Sequence, residues 1–383
     1  LRENISSVME YDYYGGLLGG ALFAFVLLPF LGLTYTPVLI GSLNLLVASL
    51  VLWHFSNHLI RPRILNIQFA VLLIISVLAF LVAKPIVLYG EQHKYKDKII
   101  YQEQSRYQKI VVTQWKDNFW LFINGSTQFS TYDEERYHEP LVHPVMSLLK
   151  EHKDILLLGA GDGLAAREIL KYSDVESLTL VDLDPAITRL ARQHKMFLGI
   201  NQGSLNDPRV RVLNKDAYQF MKESSDLYDA IIIDLPDPKS VSLSLLYSLG
   251  FYKMVEKHLK PFGAMVTQST SPLYSPEAFL CIKKTMQAAN FSTLPYQNSI
   301  PSMGQWGWVL GIRKNIMPAK RLKQEVIAKK LSNIETRFFN QNAMISMANF
   351  GKGLFEKEEK IEPNTQFNHN ILKYYRQGSW DLY

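Results

Sequence analysis

Residues 13–33 and 36–55 contain no Lys, Arg, Asp or Glu, and each is about 20 residues long, the length at which a helix crosses a hydrocarbon layer roughly 30 Å thick. A third apolar run, 66–90, follows the segment SNHLIRPR and carries one charge, Lys84, near its end, where a long side chain can reach the interface. The charged residues of 13–90 are Arg61, Arg63 and Lys84. Three such runs in succession are read as membrane-spanning helices rather than buried helices of a large soluble core. The uncharged segment around Thr34, Tyr35 and Pro37 separates the first two, which predicts a helical hairpin followed by a third helix over 66–89. A signal peptide does not fit, because Glu3, Glu10 and Asp12 precede the first run where a basic leader belongs. Gly15, Gly16, Gly19 and Gly20 would let helices approach closely.

From residue 91 the character changes, and the whole-chain averages of 48% hydrophobic and 20% charged residues describe neither part. Residues 91–135 are rich in Ile, Val, Phe and Tyr, with turn residues at Lys116-Asp117-Asn118 and Asn124-Gly125, which predicts a small antiparallel β-unit. Residues 136–315 then alternate short apolar runs with amphipathic segments. Strands are expected at 155–159, 178–182, 210–214, 229–234 and 264–269, with helices near 163–171, 186–195, 243–259 and 275–290. That alternation predicts an α/β fold, a Rossmann-like parallel sheet covered on both faces. Residues 316–383 form a helical tail that opens on the basic stretch AKRLKQEVIAKKL. The single cysteine, Cys281, excludes an internal disulfide and a cysteine-built zinc site, and no metal ligand set is expected. A net charge of +6 without a basic stripe interleaved with aromatics argues against a nucleic-acid partner.

Gly159-Ala160-Gly161-Asp162-Gly163 lies between a predicted strand and a predicted helix, where glycines permit a tight turn and close approach of backbone to a ligand. The next strand ends on Asp182, placed to accept hydrogen bonds from the two ribose hydroxyls of an adenosine-containing ligand. A third acid, Asp216, follows the strand VRVLN. The ligand edge of an open α/β sheet is this carboxyl edge. Acids at successive strand ends point to an S-adenosylmethionine-type site rather than a dinucleotide site. Asp162 refines this. Ordinary S-adenosylmethionine has a carboxylate on the tail near this loop, which a fixed aspartate repels, whereas the decarboxylated form keeps only the amine.

These segments resemble the polyamine aminopropyltransferase, or spermidine synthase, family. The resemblance rests on YHEPLVHP at 137–144, LLLGAGDGLAAREIL at 156–170, VESLTLVDLDP at 175–185, DPRVRVLNKDAYQF at 207–220, YDAIIIDLPDP at 228–238, PFGAMVTQSTSP at 261–272 and GQWGWVLG at 304–311. With the apolar runs in front, the chain is similar to the multi-pass membrane subgroup of that family. The resemblance implies transfer of the aminopropyl group of decarboxylated S-adenosylmethionine to a polyamine acceptor such as putrescine, giving spermidine and 5'-methylthioadenosine, with no permanently bound cofactor. It implies Asp237 as proton acceptor, and His138 and Asp162 as binders of the amine or the aminopropyl end. Gln108, Asp182, Asp216 and Ala217 fall on contacts to the nucleoside, with Gly159 and Gly161 forming the loop beneath it. Tyr137, Glu139, Asp234 and Trp306 complete the amine end, and Tyr247 offers a further aromatic face. Trp308 is expected in the core.

The chain also departs from the family. Lys239-Ser240-Val241-Ser242-Leu243 replaces the usual Gly-Pro and Glu after the DP pair, Asp182 is one methylene shorter than the common Glu, and Gln305 stands where an acid is common. Two other readings stand beside the transferase: a methyltransferase on the same sheet, and a non-catalytic membrane sensor that binds polyamine. Arg61 and Arg63 on one side and Lys94, Lys96 and Lys98 on the other nearly balance the positive-inside rule. The cytosolic substrates therefore place residues 91–383 on the cytoplasmic face of a cell membrane, with lipid bilayer as a partner. Soluble relatives are often dimers or tetramers, which implies a homo-oligomer.

Overall fold

The apolar runs are helical in the computed structural model, which describes residues 2–55, 62–331 and 333–382 and separates into two units, Leu1–Ile99 and Ile100–Tyr383. In the first unit, α1 (Arg2–Leu22) continues through a π-helical turn, Phe23–Leu27, into α2 (Leu28–His54), and α3 spans Pro62–Gln92. The break between the first two runs lies at Gly32 (φ 63°, ψ −175°) rather than at Thr34-Tyr35-Pro37. Glycine alone enters that region without a Cβ penalty, and the Thr36 hydroxyl donates to the Gly32 carbonyl at 2.6 Å, satisfying a group the break leaves open. Pro37 lies inside α2, five residues past the break, where it withholds one N–H from the helix ladder. Ser6–Gly32, Thr34–His54 and Pro62–Ala83 are each long and apolar enough to cross a membrane. Phe25, Phe30 and Trp53 are about four-fifths exposed (78%, 81% and 78%), so their apolar surface is not covered by this chain's own core. Arg61 and the side chain of Lys84 lie outside the described residues.

The second unit opens with a four-stranded sheet in the order β1-β2-β3-β4, formed by β1 (Lys98–Gln104), β2 (Lys109–Trp115), β3 (Asn118–Ile123) and β4 (Ser126–Ser130). Between β1 and β2 the Ser105 hydroxyl accepts the N–H groups of Tyr107 and Gln108 and folds the chain back. Asn124 and Gly125, both at positive φ, close the β3–β4 hairpin.

Beyond α4 (Glu135–Leu148) comes the alternating region. In chain order it contains β5 (Asp154–Gly159), α5 (Leu164–Ile169), β6 (Ser177–Asp182), α6 (Pro185–Gln193), α7 (Lys195–Asn201), β7 (Val210–Asn214) and α8 (Ala217–Glu223). It continues with β8 (Tyr228–Asp234), α9 (Val241–Leu245), α10 (Leu249–His258), β9 (Leu259–Gln268), α11 (Pro276–Ala288), β10 (Phe291–Ile300) and β11 (Gly304–Arg313). The helix expected near 243–259 is two helices, since Ser248 caps a new one by accepting from Phe251 N–H. The tail carries α12 (Ala319–Ala328), α13 (Gln341–Met347) and α14 (Asn370–Arg376).

The seven strands from β5 to β11 form one sheet in the order β10-β11-β9-β8-β5-β6-β7. Strands β7 to β9 are parallel, and β11 and β10 add an antiparallel edge. Ile155 and Leu157 face one hydrophobic cluster while Leu156 and Leu158 face the other, so both faces of the central strand are buried and its sequence is uniformly apolar. Trp308 is fully buried in the first cluster. The chain builds β5, β6 and β7 in one direction and then returns to place β8 on the opposite side of β5. That reversal opens a crevice at the carboxyl ends of β5, β6 and β8.

Candidate active site

The glycine loop lies against the ends of two strands. A Cβ on Gly161 would sit 2.6 Å from Asp182 Oδ2, and one on Gly159 would sit 2.0 Å from the Asp234 carbonyl oxygen. The loop is therefore held by close contact with the last residues of β6 and β8. Asp182 accepts Gly161 N–H on Oδ2 (3.0 Å) and Asp184 N–H on Oδ1 (2.9 Å). Burial pushes its carboxyl up to about 6, against the pull of those two N–H groups. Lys215 N–H donates to the Asp182 carbonyl at 3.1 Å, which brings the end of β7 alongside. The exposed Asp216 caps α8 by accepting Gln219 N–H (2.8 Å), and Ala217 is buried behind it. Gln108 sits on the β1–β2 turn, and Ser105 of that turn donates to Asp184 Oδ2 at 2.6 Å. The turn is thereby fastened to the loop after Asp182, a link that no feature of the sequence announced.

A second group of side chains lies at the β5–β8 side. Tyr137 on α4 donates to Asp234 Oδ1 at 2.5 Å. Burial carries the Tyr137 hydroxyl well above its ordinary value, with Asp234 adding to the shift. Burial also lifts Asp234 to about 6, although the His138 charge and the Tyr137 hydrogen bond pull it down. His138 is 2% exposed, and its Nδ1 lies 3.0 Å from Glu134 Oε2. Desolvation lowers its pKa, but Glu134, Asp162 and Asp234 outweigh that and leave it raised. Asp162 accepts Leu164 N–H on Oδ1 (2.8 Å), and burial raises its carboxyl despite the nearby His138.

Asp237 has two side-chain donors among the described residues: Tyr375 Oη to Oδ2 at 2.9 Å and Gln268 Nε2 to Oδ1 at 3.4 Å. Burial raises this carboxyl too, against Lys239, Tyr375 and Gln268. Trp306 Nε1 donates to Gln268 Oε1 (3.2 Å), and Gln268 Nε2 also reaches Tyr247 Oη and the Leu235 carbonyl. Tyr247 is fully buried, with its hydroxyl against the Leu235 and Pro236 carbonyls. Gln268 thus ties the DP turn to Trp306. It ends a strand at the carboxyl edge, the signal by which it was findable, but it was not selected from sequence. Tyr375 was missed for another reason, since it lies 138 residues from its partner.

Glu139 does not join this group. Its Oε1 accepts Arg337 N–H (2.7 Å) and its Oε2 accepts Phe338 and Phe339 N–H (2.8 and 2.7 Å). The carboxylate expected to hold an amine is fully buried and engaged with three backbone donors of the tail. Behind His138, Glu134 pairs with Arg167 (2.9 Å), which also bonds Glu168; Glu168 in turn meets His143 and Lys171. Burial pushes Glu134 up, yet His138 and Arg167 hold it below the usual carboxylate range. The crevice therefore joins a ribose-type carboxylate, Asp182, to an acidic, aromatic-walled end, chemistry suited to an adenosine ligand with a cationic tail.

The spermine/spermidine synthase domain family matches residues 134–324. The chain is 39% identical to the polyamine aminopropyltransferase of Oceanobacillus iheyensis, over 100% of this chain and 73% of that protein. It is 37% identical to the polyamine aminopropyltransferase of Leptospira interrogans, over 98% of this chain and 73% of the relative. Among solved structures, a spermidine synthase in complex with the transition state analogue AdoDATO superposes with a TM-score of 0.61 at 26% identity, covering 69% of this chain and 89% of that one. The spermidine synthase from Thermotoga maritima gives 0.60 at 26% identity, covering 69% and 88%.

Proposed function

The chain belongs to the polyamine aminopropyltransferase family, and from that premise we propose how its residues divide the work of moving an aminopropyl group from decarboxylated S-adenosylmethionine to putrescine. The single observation that carries the assignment is the acidic edge formed by Asp182, Asp162 and Asp234 at the carboxyl ends of β6, β5 and β8, with the buried His138 beside Asp162 and Asp234. Asp182 holds the ribose, Gln108 and Asp216 with Ala217 border the nucleoside, and Gly159 and Gly161 bring the loop close beneath it. Asp162 faces the aminopropyl ammonium, and the absence of a carboxylate on that tail is what the fixed charge selects. Tyr137 and Trp306 wall the acceptor's methylenes, and His138 sets the local charge.

In the reaction the acceptor nitrogen attacks the carbon next to the sulfonium as the carbon–sulfur bond breaks, and neutral 5'-methylthioadenosine leaves with the electron pair. The sulfonium is already a good leaving group, so the demand falls on the amine, which has to shed a proton. Asp237 is the acceptor inferred from sequence. A specific feature favours Asp234 for the same step. Among the described residues Tyr137 is its one hydrogen-bond donor, whereas both oxygens of Asp237 have donors. Burial lifts Asp234 to about 6, near a working pH, where a general base is effective.

Residues 1–90 act as a membrane segment. The relative from Oceanobacillus iheyensis aligns over the full chain, so its alignment includes these helices. The β-unit 91–135, the Rossmann-like domain 136–315 and the tail 316–383 make up the rest, placed on the cytoplasmic face where polyamines are found, in a homo-oligomer.

The test incubates the full chain in lipid nanodiscs with decarboxylated S-adenosylmethionine and putrescine, cadaverine or spermidine, and identifies products by mass. Spermidine from putrescine is the expected main product, and a stronger preference for another amine overturns the acceptor assignment. Asp234→Asn and Asp237→Asn are compared in the same assay. The base is the position whose loss removes turnover while leaving binding of decarboxylated S-adenosylmethionine intact.

A further inference from the structure

We propose that the C-terminal segment 361–382 completes the amine end of the active site, with Tyr375 as a positioning residue that holds the Asp237 carboxylate. The family match ends at residue 324 and assigns this segment nothing. Yet α14 delivers the Tyr375 hydroxyl, on a side chain 6% exposed, to 2.9 Å from Asp237 Oδ2.

The surrounding contacts make this a built arrangement. Trp380 Nε1 donates to the Tyr375 carbonyl at 2.8 Å, and its ring lies 4.5 Å from the Tyr375 ring. Ser379 N–H donates to the Tyr274 carbonyl at 2.7 Å, anchoring the end of the segment beside the start of α11. Upstream, the fully buried Asn364 donates its N–H to Thr285 Oγ1 (2.9 Å) and its side-chain amide to the Ser244 carbonyl (2.8 Å), and accepts Leu249 N–H (2.8 Å). Ser244 Oγ lies 2.7 Å from His369 Nδ1. One segment therefore grips both Asp237 and α9, which begins within 239–243, the stretch where this chain departs from the family's Gly-Pro and Glu pattern.

A phenol donating to one carboxylate oxygen fixes the rotamer and directs the other oxygen. It also favours the ionised form, as does Lys239, against the burial that raises Asp237. The other titratable groups that feel the Asp237 charge are Tyr137 and Tyr247. The inference rests on the reading that Asp237, rather than Asp234, takes the proton of the attacking amine.

The experiment compares Tyr375→Phe, Tyr374→Phe and Asp237→Asn in the full chain with decarboxylated S-adenosylmethionine and putrescine. Tyr375→Phe keeps the ring and removes the hydroxyl. Its kcat is expected to fall about tenfold, its KM for decarboxylated S-adenosylmethionine to stay unchanged, and the acidic limb of its kcat–pH profile to move to higher pH. Tyr374→Phe removes the hydroxyl that accepts Glu362 N–H at 3.3 Å within the same segment but does not touch Asp237, so a lowered Tm with an unmoved acidic limb is expected of it. If Asp237→Asn keeps full turnover, the underlying reading of Asp237 as the proton acceptor fails. If Asp237→Asn is impaired while Tyr375→Phe keeps the parent's kcat and pH profile, the role of Tyr375 fails and the reading of the site stands. Should Tyr375→Phe not fold, 3-fluorotyrosine at 375 serves instead. A more acidic phenol donates more strongly, so the acidic limb is expected at lower pH, and an unmoved limb overturns the proposal.

Discussion

Gly161→Ala isolates one contact at the nucleoside end of the crevice. Gly161 is not in the left-handed region, so alanine meets no backbone penalty there and the whole effect comes from its methyl group. That methyl would sit 2.6 Å from Asp182 Oδ2, 2.8 Å from Asp182 Cγ and 2.8 Å from Ile187 Cγ2, against the roughly 3.5–4.0 Å of a normal contact. The carboxylate has to retreat by most of an ångström, which breaks the 3.0 Å bond from Gly161 N–H and disturbs the 2.9 Å bond from Asp184 N–H. Overpacking of this kind costs about 1–3 kcal/mol, which for a domain of this size lowers Tm by about 2–4 °C per kcal/mol. On the proposed contact of Asp182 with the ribose, its displacement also weakens nucleoside binding. At about 1.4 kcal/mol per tenfold, the KM for decarboxylated S-adenosylmethionine is expected to rise about tenfold or more, with kcat at saturation changed far less. Steady-state rates with varied co-substrate at saturating putrescine, alongside a thermal melt, measure both. A Gly161→Ala enzyme with the parent's KM refutes the placement of Asp182 at the ribose. Gly159→Ala supplies the contrast. Its φ is +80° and its methyl would lie 2.0 Å from a backbone oxygen that cannot swing away, so no folded enzyme is expected.

Glu139→Gln replaces one acceptor oxygen with an amide N–H that faces the backbone donors of 337–339. A loss of about 1–3 kcal/mol and faster proteolysis near 329–340 are expected, with the KM for putrescine unchanged. A raised putrescine KM at unchanged Tm would return Glu139 to the amine site. Glu168 concerns acid stability. Burial pushes it up, but His143, Lys171 and Arg167 hold its carboxyl down to about 2 from an ordinary 4.5. A carboxyl depressed in the folded state contributes stability above its unfolded value that disappears as pH falls through the folded one. The parent is therefore expected to lose on the order of 3 kcal/mol between about pH 4.5 and pH 2 through this residue. Glu168→Gln should be less stable at pH 7 and show a shallower acid slope; parallel Tm–pH curves would exclude the network.

The sequence by itself determined whatever depends on near neighbours along the chain. Charge-free runs of spanning length, alternation of apolar strands with helices, and acids placed directly after strands are all local patterns, and a parallel sheet turns strand-end residues into crevice residues by topology alone. Asp162, Asp182, Asp234 and Asp237 were legible for that reason. Local pattern misplaced one small feature even so: the break at Gly32 was read at Thr34–Pro37, because a single positive φ decides it. Tertiary structure alone decided which side chains share an atom's surroundings. Glu139 looked like a ligand for an amine until the backbone of 337–339 closed on it, and Tyr375 carried no signal until α14 delivered it to Asp237. Burial decided the rest. The same Asp residues sit near 4 when exposed to water, and desolvation in the crevice, with the charge of Asp162 adding to it, raises Asp182 and Asp234 to about 6, a property of the packed molecule that no spacing of residues encodes.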